Sequence, residues 1–472
     1  MAGKGNDVAE GAPYVTTPPV PPTGPPGPDA TFEAVGADVY ARSCALRGRE
    51  ARLAVGSLDY GRGVLDAAFD RGGTAEGWTE QWAEDWQAVL EALDVRAAVF
   101  TRTSETPHQR VVKALFLKLF DQGDIAKDKT GGYVLRASRH AKATLAHLDE
   151  HPDFILPAAR QEAALRAASE DGVSDVTLSR ERSEWAIAVP IDPDHAIDDW
   201  FDALVSYLTG SGYLADPQLF ERVWPPVVQV VTAQALRTHA LAWPALLFAA
   251  GLQLPEHLLV RGRLQLDGAT DAGELVEQMG SDALRYGLLR SARFTDDASL
   301  SVGALAERCN ADLSDRLGRL VDEVLTAVEQ RREGRVPRPG SLADAESALV
   351  EAAGELFAET SRRVGDFDFG GALDRVWALV DSALGYAHGV GLTRAEGRRL
   401  DTALYVLAET CRLVALSLRP FLPRAARAIE GRLGLEDDGH GAADLSQWGR
   451  SRPQARIRRG EPLLPRIALP TS

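Results

Sequence analysis

Three histidines, His140, His147 and His151, lie close together in the sequence and could in principle ligate zinc. Structural zinc sites, however, lean on paired cysteine thiolates. The three cysteines, Cys44, Cys309 and Cys411, are far apart and form no CxxC pair. They read as small buried hydrophobes, and the histidines as surface positions on a helix, so no metal is expected. The other chemistry-bearing run is Arg450 to Arg459, with Arg450, Arg452, Arg456, Arg458 and Arg459 and no acid among them. Such a run could neutralise phosphates. The whole chain points the other way: 52 Lys+Arg against 68 Asp+Glu gives a formal net charge of -16. A nucleic-acid binder normally carries a basic surface, so this run reads as a solvated tail rather than an RNA-binding arm.

The elements that would position any chemistry follow from length and periodicity. At 472 residues, 45% of them hydrophobic, the chain calls for two or three domains. No apolar run is long enough to span a bilayer, and no signal peptide opens the chain, so a cytoplasmic protein is expected. Residues 1–12 lack bulky apolar groups and are expected to be disordered. Tyr14-Val15-Thr16-Thr17 reads as a strand that runs into Pro18, Pro19, Pro21, Pro22, Pro25, Pro26 and Pro28, an extended loop. A helix over about 30–47 and a strand over 52–56 follow, the opening of a doubly wound α/β domain. Residues 74–122 read as mostly helical, and 133–157 as short and helix-rich. Strands are expected at 227–231 and 258–266, with a helix over 239–252 between them. From Ala272 onward nearly every period is helical.

Several stretches resemble methionyl-tRNA synthetase, in the right order and over essentially the whole chain after residue 12. They include Tyr14-Val15-Thr16-Thr17-Pro18, Ala37-Asp38-Val39-Tyr40-Ala41-Arg42 and Trp185-Ala186-Ile187-Ala188-Val189-Pro190. Trp200-Phe201-Asp202-Ala203-Leu204, His239-Ala240-Leu241-Ala242-Trp243-Pro244 and Gly280-Ser281-Asp282-Ala283-Leu284-Arg285-Tyr286 continue the match. The resemblance implies α/β plus all-α architecture. A Rossmann-type catalytic domain is expected over 13–270, with a shortened connective insertion at about 124–170. Stem-contact-like helices at 271–335 and a helical anticodon-domain-like bundle at 336–472 complete it.

The departures from the family carry the functional expectation. Class I synthetases join an amino-acid carboxylate to the α-phosphate of ATP, and the developing charge needs cationic or N–H donors. The family's HIGH-type motif falls here on Gly27, Pro28, Asp29 and Ala30, where both histidines are gone. Proline has no N–H to offer a phosphate, and Asp29 places negative charge at the helix start. The lysine-bearing KMSKS loop is missing: after Asp267-Gly268 the chain passes directly to Ala269-Thr270-Asp271. The connective segment Gly131-Gly132-Tyr133 to Ser138 contains no zinc-binding cysteine.

The resemblance also implies an inherited amino-acid pocket at Trp200, Ala203, Tyr207 and His239. The carboxylate that grips the substrate ammonium falls on Leu58, and neighbouring Asp59 would point to the other face of a continuing strand. An aromatic trio around a small residue also reads as plain core. On the helix expected to read the anticodon, Tyr386 remains, but Leu384 replaces an asparagine and no tryptophan follows. No catalytic residue is assigned, and neither ATP nor zinc is expected as a cofactor. The reading is therefore a synthetase homologue that has lost aminoacylation and serves as a scaffold or amino-acid-like metabolite binder. A protein partner or a small amino-acid-like ligand is expected, tRNA is not, and no membrane is involved. The alternatives are an amino-acid-condensing ligase of specialised metabolism (hydrazine-forming type) and remnant methionine–tRNA ligase activity.

Overall fold

A computed structural model describes residues 13–182, 184–435, 442–451 and 453–468. The tail expected at residues 1–12 and Arg452 lie outside the described residues. The chain divides into two compact units, the first made of 1–37, 50–91 and 95–263, the second of 38–49, 92–94 and 264–472.

The first unit is built on six parallel strands: β1 (Tyr14–Thr16), β2 (Arg52–Ser57), β3 (Ala97–Arg102), β4 (Ile155–Leu156), β5 (Val228–Thr232) and β6 (His257–Arg261). Their order is β3-β2-β1-β5-β6-β4. Val228, Val230 and Val231 are buried, the near-continuous apolar pattern of a strand covered on both faces. The chain leaves β1 towards β2 and β3 on one side and places β5 and β6 on the other. The switch point of this doubly wound sheet therefore lies between β1 and β5, where Thr16 faces Gln229. β3 sits inside the stretch read as mostly helical, between α2 (Ala75–Ala92) and α3 (Thr106–Asp121). The run read as one strand over 258–266 breaks at Gly262-Arg263. Its second half, Leu264–Asp267, belongs to a separate two-stranded sheet.

α1 (Pro28–Leu46) begins with a proline, which suits the first helical position because its missing N–H would be unpaired there anyway. Every residue from Thr31 to Cys44 is buried, Glu33, Asp38 and Arg42 included. Buried charges persist only with partners, so this helix dictates ion pairs elsewhere. Asp38 receives Arg42 at 2.7 Å and Arg285 at 2.7 Å.

The second unit is helical, as the periodicity predicts. Its elements include α6 (Ala272–Met279), α7 (Ser281–Ser291), α8 (Arg319–Arg332), α9 (Asp344–Gly365), α10 (Phe369–Val390), α11 (Gly397–Leu418) and α12 (Pro423–Arg432). In the first unit, α4 (Asp199–Gly210) and α5 (Trp243–Ala250) cover the sheet region discussed below. Arg285, fully buried on α7, donates to the carbonyls of Leu93, Pro420 and Phe421 as well as to Asp38. Glu409 on α11 binds Arg412 and accepts the N–H groups of Gly449, Arg450 and Ser451. The arginine run is thus not a loose tail. Gln454 N–H donates to the Val336 carbonyl at 2.7 Å, Ile457 N–H to that of Gly334 at 2.9 Å, and Arg456 faces Arg335 in an antiparallel bridge. No helix among the described residues is long and apolar enough to cross a membrane.

Candidate functional site

The loop after β1 is held at the carboxyl end of the sheet by main-chain and indole bonds. Val20 N–H donates to Gly56 O and Leu58 N–H to Val20 O, both at 2.9 Å. Two tryptophans one turn apart on α2 then grip the proline-rich stretch: Trp78 Nε1 donates to Pro22 O and Trp82 Nε1 to Gly24 O, each at 2.7 Å. A run rich in proline has few N–H groups to offer its carbonyls, and the two indoles supply donors from outside.

At the helix start that follows, Asp29 meets a guanidinium carried by the last residue of β6. Arg261 Nη1 and Nη2 reach the two Asp29 oxygens at 2.7 and 2.8 Å, and Nε reaches Glu33 Oε2 at 2.6 Å. The fork-to-fork pairing is the strong geometry for Arg with a carboxylate. Arg261 and Glu33 are each only 4% exposed. Burial pushes the Glu33 carboxyl above its ordinary range, against the opposing pull of Arg261. Gly27, Pro28, Asp29 and Ala30 are thus brought together with Arg261 and Glu33, which the sequence reading did not join to them. Arg261 donates to Asp29, Glu33 and the Gly262 carbonyl. Between Asp267 and the N-cap Asp271 of α6 only Gly268, Ala269 and Thr270 intervene, with no lysine among them.

The inherited pocket positions are divided. Tyr207 and His239 converge: the Tyr207 hydroxyl donates to His239 Nε2 at 2.9 Å, while His239 Nδ1–H donates to Ala235 O at 2.9 Å. That second bond fixes the tautomer, leaving Nε2 as acceptor. A wide π-type turn over Thr238–Ala242 places His239 there. Burial lowers the His239 pKa to about 4, opposed by the bond to Ala235, and holds the Tyr207 phenol well above its ordinary value. Trp200 does not join them. It is half-buried, packs edge-on against Phe201 and donates its indole N–H to Thr177 O at 2.8 Å. Ala203 is half-buried and its carbonyl accepts from Ser206.

Leu58 is half-buried, and Asp59, fully buried, is turned towards the end of β3. There Asp59 Oδ2 accepts from Ser104 Oγ at 2.5 Å and lies 3.4 Å from Arg102 Nε, while its carbonyl takes the Trp185 indole N–H at 2.6 Å. A buried pair the sequence reading missed lies beside it: His108 Nε2 is 2.7 Å from Asp202 Oδ1, with His108 Nδ1 2.8 Å from Thr209 Oγ1. Only the apolar spacing of α3, which turns His108 inward, could have signalled it.

The remaining candidates take ordinary partners. His140 binds Asp124 at 3.0 Å, whereas His147 stacks on His151 with centroids 4.2 Å apart. Among the described residues no three His, Cys, Asp or Glu side chains come together as a metal site. Tyr386 donates to Glu346 at 2.5 Å, and Leu384 and Leu392 are buried.

The parallel sheet with its switch point at β1, joined to a helical C-terminal unit, defines a class I synthetase fold. The family model for class I tRNA synthetases (M) matches residues 14–147 and 129–325. The methionine–tRNA ligase of Caldanaerobacter subterraneus is 30% identical over 96% of this chain and 78% of its own length. That of Rhizobium meliloti is 29% identical over 97% and 98%. The solved Mycobacterium tuberculosis methionyl-tRNA synthetase in complex with methionyl-adenylate superposes with a TM-score of 0.91 at 29% identity, covering 96% of this chain and 99% of that one. The chain belongs to the methionyl-tRNA synthetase family of class I tRNA synthetases.

Proposed function

We propose that this chain is a methionyl-tRNA synthetase homologue that no longer joins methionine to tRNA. In this reading it keeps the scaffold, in the cytoplasm, to hold a protein partner or a small amino-acid-like ligand. The supporting observation is the ion-pair cluster of Arg261 with Asp29 and Glu33. Adenylate formation builds charge on the α-phosphate, and preorganised donors must meet it. Here the helix start presents a carboxylate, and two acids share one guanidinium, so the cluster repels a polyphosphate. The three-residue link between Asp267 and Asp271 offers no lysine to compensate. The amino-acid side argues likewise: with Leu58 at the ammonium position, an α-ammonium would be buried unpaired, at a cost of several kcal/mol.

The test is methionine-dependent ATP–pyrophosphate exchange, with calorimetry of ATP and magnesium. Background exchange and no tight nucleotide binding are expected; exchange well above background sinks the proposal. The condensing-ligase alternative activates a carboxylate with ATP as well, so the same assay, repeated with other amino acids, decides against it or for it.

A further inference from the structure

The arginine run and the segment before α9 form a short two-stranded ribbon whose two faces differ in kind. Val336 and Ile457 are buried, while Arg335, Arg456 and Arg458 are exposed. Alternation along each strand puts these arginines on the outward face, and the bridge sets Arg335 directly opposite Arg456. Like charges directly opposite one another are destabilising. No carboxylate among the described residues pairs with Arg335, Arg456 or Arg458; the Arg335 side chain donates instead to the Gln454 carbonyl at 3.5 Å. Neighbouring Arg459 differs, being paired with Glu329 at 2.9 Å.

We propose that this ribbon face docks a short acidic segment of a partner protein, whose carboxylates bridge Arg335 and Arg456. The proposal extends the scaffold reading above by naming the surface and the chemistry of its partner. Planar guanidinium forks suit carboxylates in bidentate pairing. Single-stranded nucleic acid would also want stacking platforms, and residues 449–460 contain no aromatic side chain. A net charge of -16 also opposes a long polyanion more than a short acidic peptide.

The experiment measures fluorescence anisotropy of labelled hexaglutamate and labelled oligouridylate with the full-length protein, in about 20 mM and about 300 mM salt. Variants are Arg335→Glu/Arg456→Glu, a charge-matched control Arg110→Glu/Lys142→Glu, and Glu436→Gln/Asp437→Asn/Asp438→Asn. Hexaglutamate should bind the unaltered protein and the control alike, and weaken about tenfold in the ribbon variant and at the higher salt. Equal weakening in the control, or no binding at all, overturns the proposal. Tighter binding of the RNA through the same arginines overturns it in favour of nucleic acid. Binding seen only after Glu436, Asp437 and Asp438 are neutralised assigns the ribbon to the chain's own acids instead. None of these outcomes bears on pyrophosphate exchange, so the two proposals fail separately.

Discussion

Arg261 has two acidic partners, and removing it strands a buried charge. Glu33 would lose its cation at 4% exposure, and breaking such a pair costs about 3–5 kcal/mol. Arg261→Met should therefore lower the melting temperature sharply. Arg261→Met with Glu33→Gln should recover much of the loss, because no charge is then left alone. Recovery no better than the single variant would mean the cluster matters through shape rather than charge. Tyr207→Phe leaves His239 Nε2 buried without a donor and should cost about 1–3 kcal/mol. If Tyr207 and His239 are core, methionine and its N-acylated derivatives should leave thermal melting unchanged; a stabilising amino acid whose effect Tyr207→Phe removes would make them a ligand site. The pH response of His239 has a definite sign. Its folded pKa, about 4, lies below the ordinary value of 6.5. The unfolded chain therefore binds the proton first on acidification, and the stability present above pH 6.5 is lost as pH falls towards 4. His239→Gln should flatten that part of the stability–pH curve measured by urea unfolding.

At the scale of elements, the loop before α1 has one short internal bond, Thr23 N–H to Pro21 O at 2.8 Å, and is otherwise held by donors from neighbouring elements. Trp82→Phe keeps the ring but removes the N–H to Gly24 O, and should cost about 1 kcal/mol. Amide exchange across the non-proline positions of 18–27 should quicken. Unchanged exchange there would show that the prolines alone stiffen the loop. The α/β half and the helical half were both legible, because β1, β5 and the long helices carry strong apolar periods. β3 was not: it is a largely half-buried edge strand between two helices, with little apolar alternation to announce it. The break between β6 and Leu264–Asp267 was hidden for the opposite reason, since the alternation runs on across Gly262-Arg263. The resemblance drew attention to Gly27 to Ala30, and a helix does start there, at Pro28. The partner of Asp29 was not legible, because an ion pair across 232 residues, such as that with Arg261, leaves no local trace.

For the whole molecule, charge sets the expectation for nucleic acid. Phosphate neutralisation supplies most non-specific affinity, and a chain of net charge -16 gives little of it. On the helix expected to read the anticodon, Tyr386 is tied to Glu346, and Leu384 and nearby Leu392 are buried. Initiator tRNA should bind no better than bulk tRNA in filter binding, and a specific, salt-resistant complex would contradict this.

The bonds of Arg285 also carry a message about synthesis on the ribosome. Asp38 and Arg285 are 247 residues apart, and Arg285 reaches the Phe421 carbonyl 136 residues further on. At roughly 5–20 residues per second, a nascent chain waits on the order of 20–80 s between making Asp38 and completing the cluster around Arg285. During that interval the second half of α1 holds acidic and apolar side chains with no finished surroundings. Nascent chains stalled before residue 421 should therefore be captured by chaperones far more than chains released at full length.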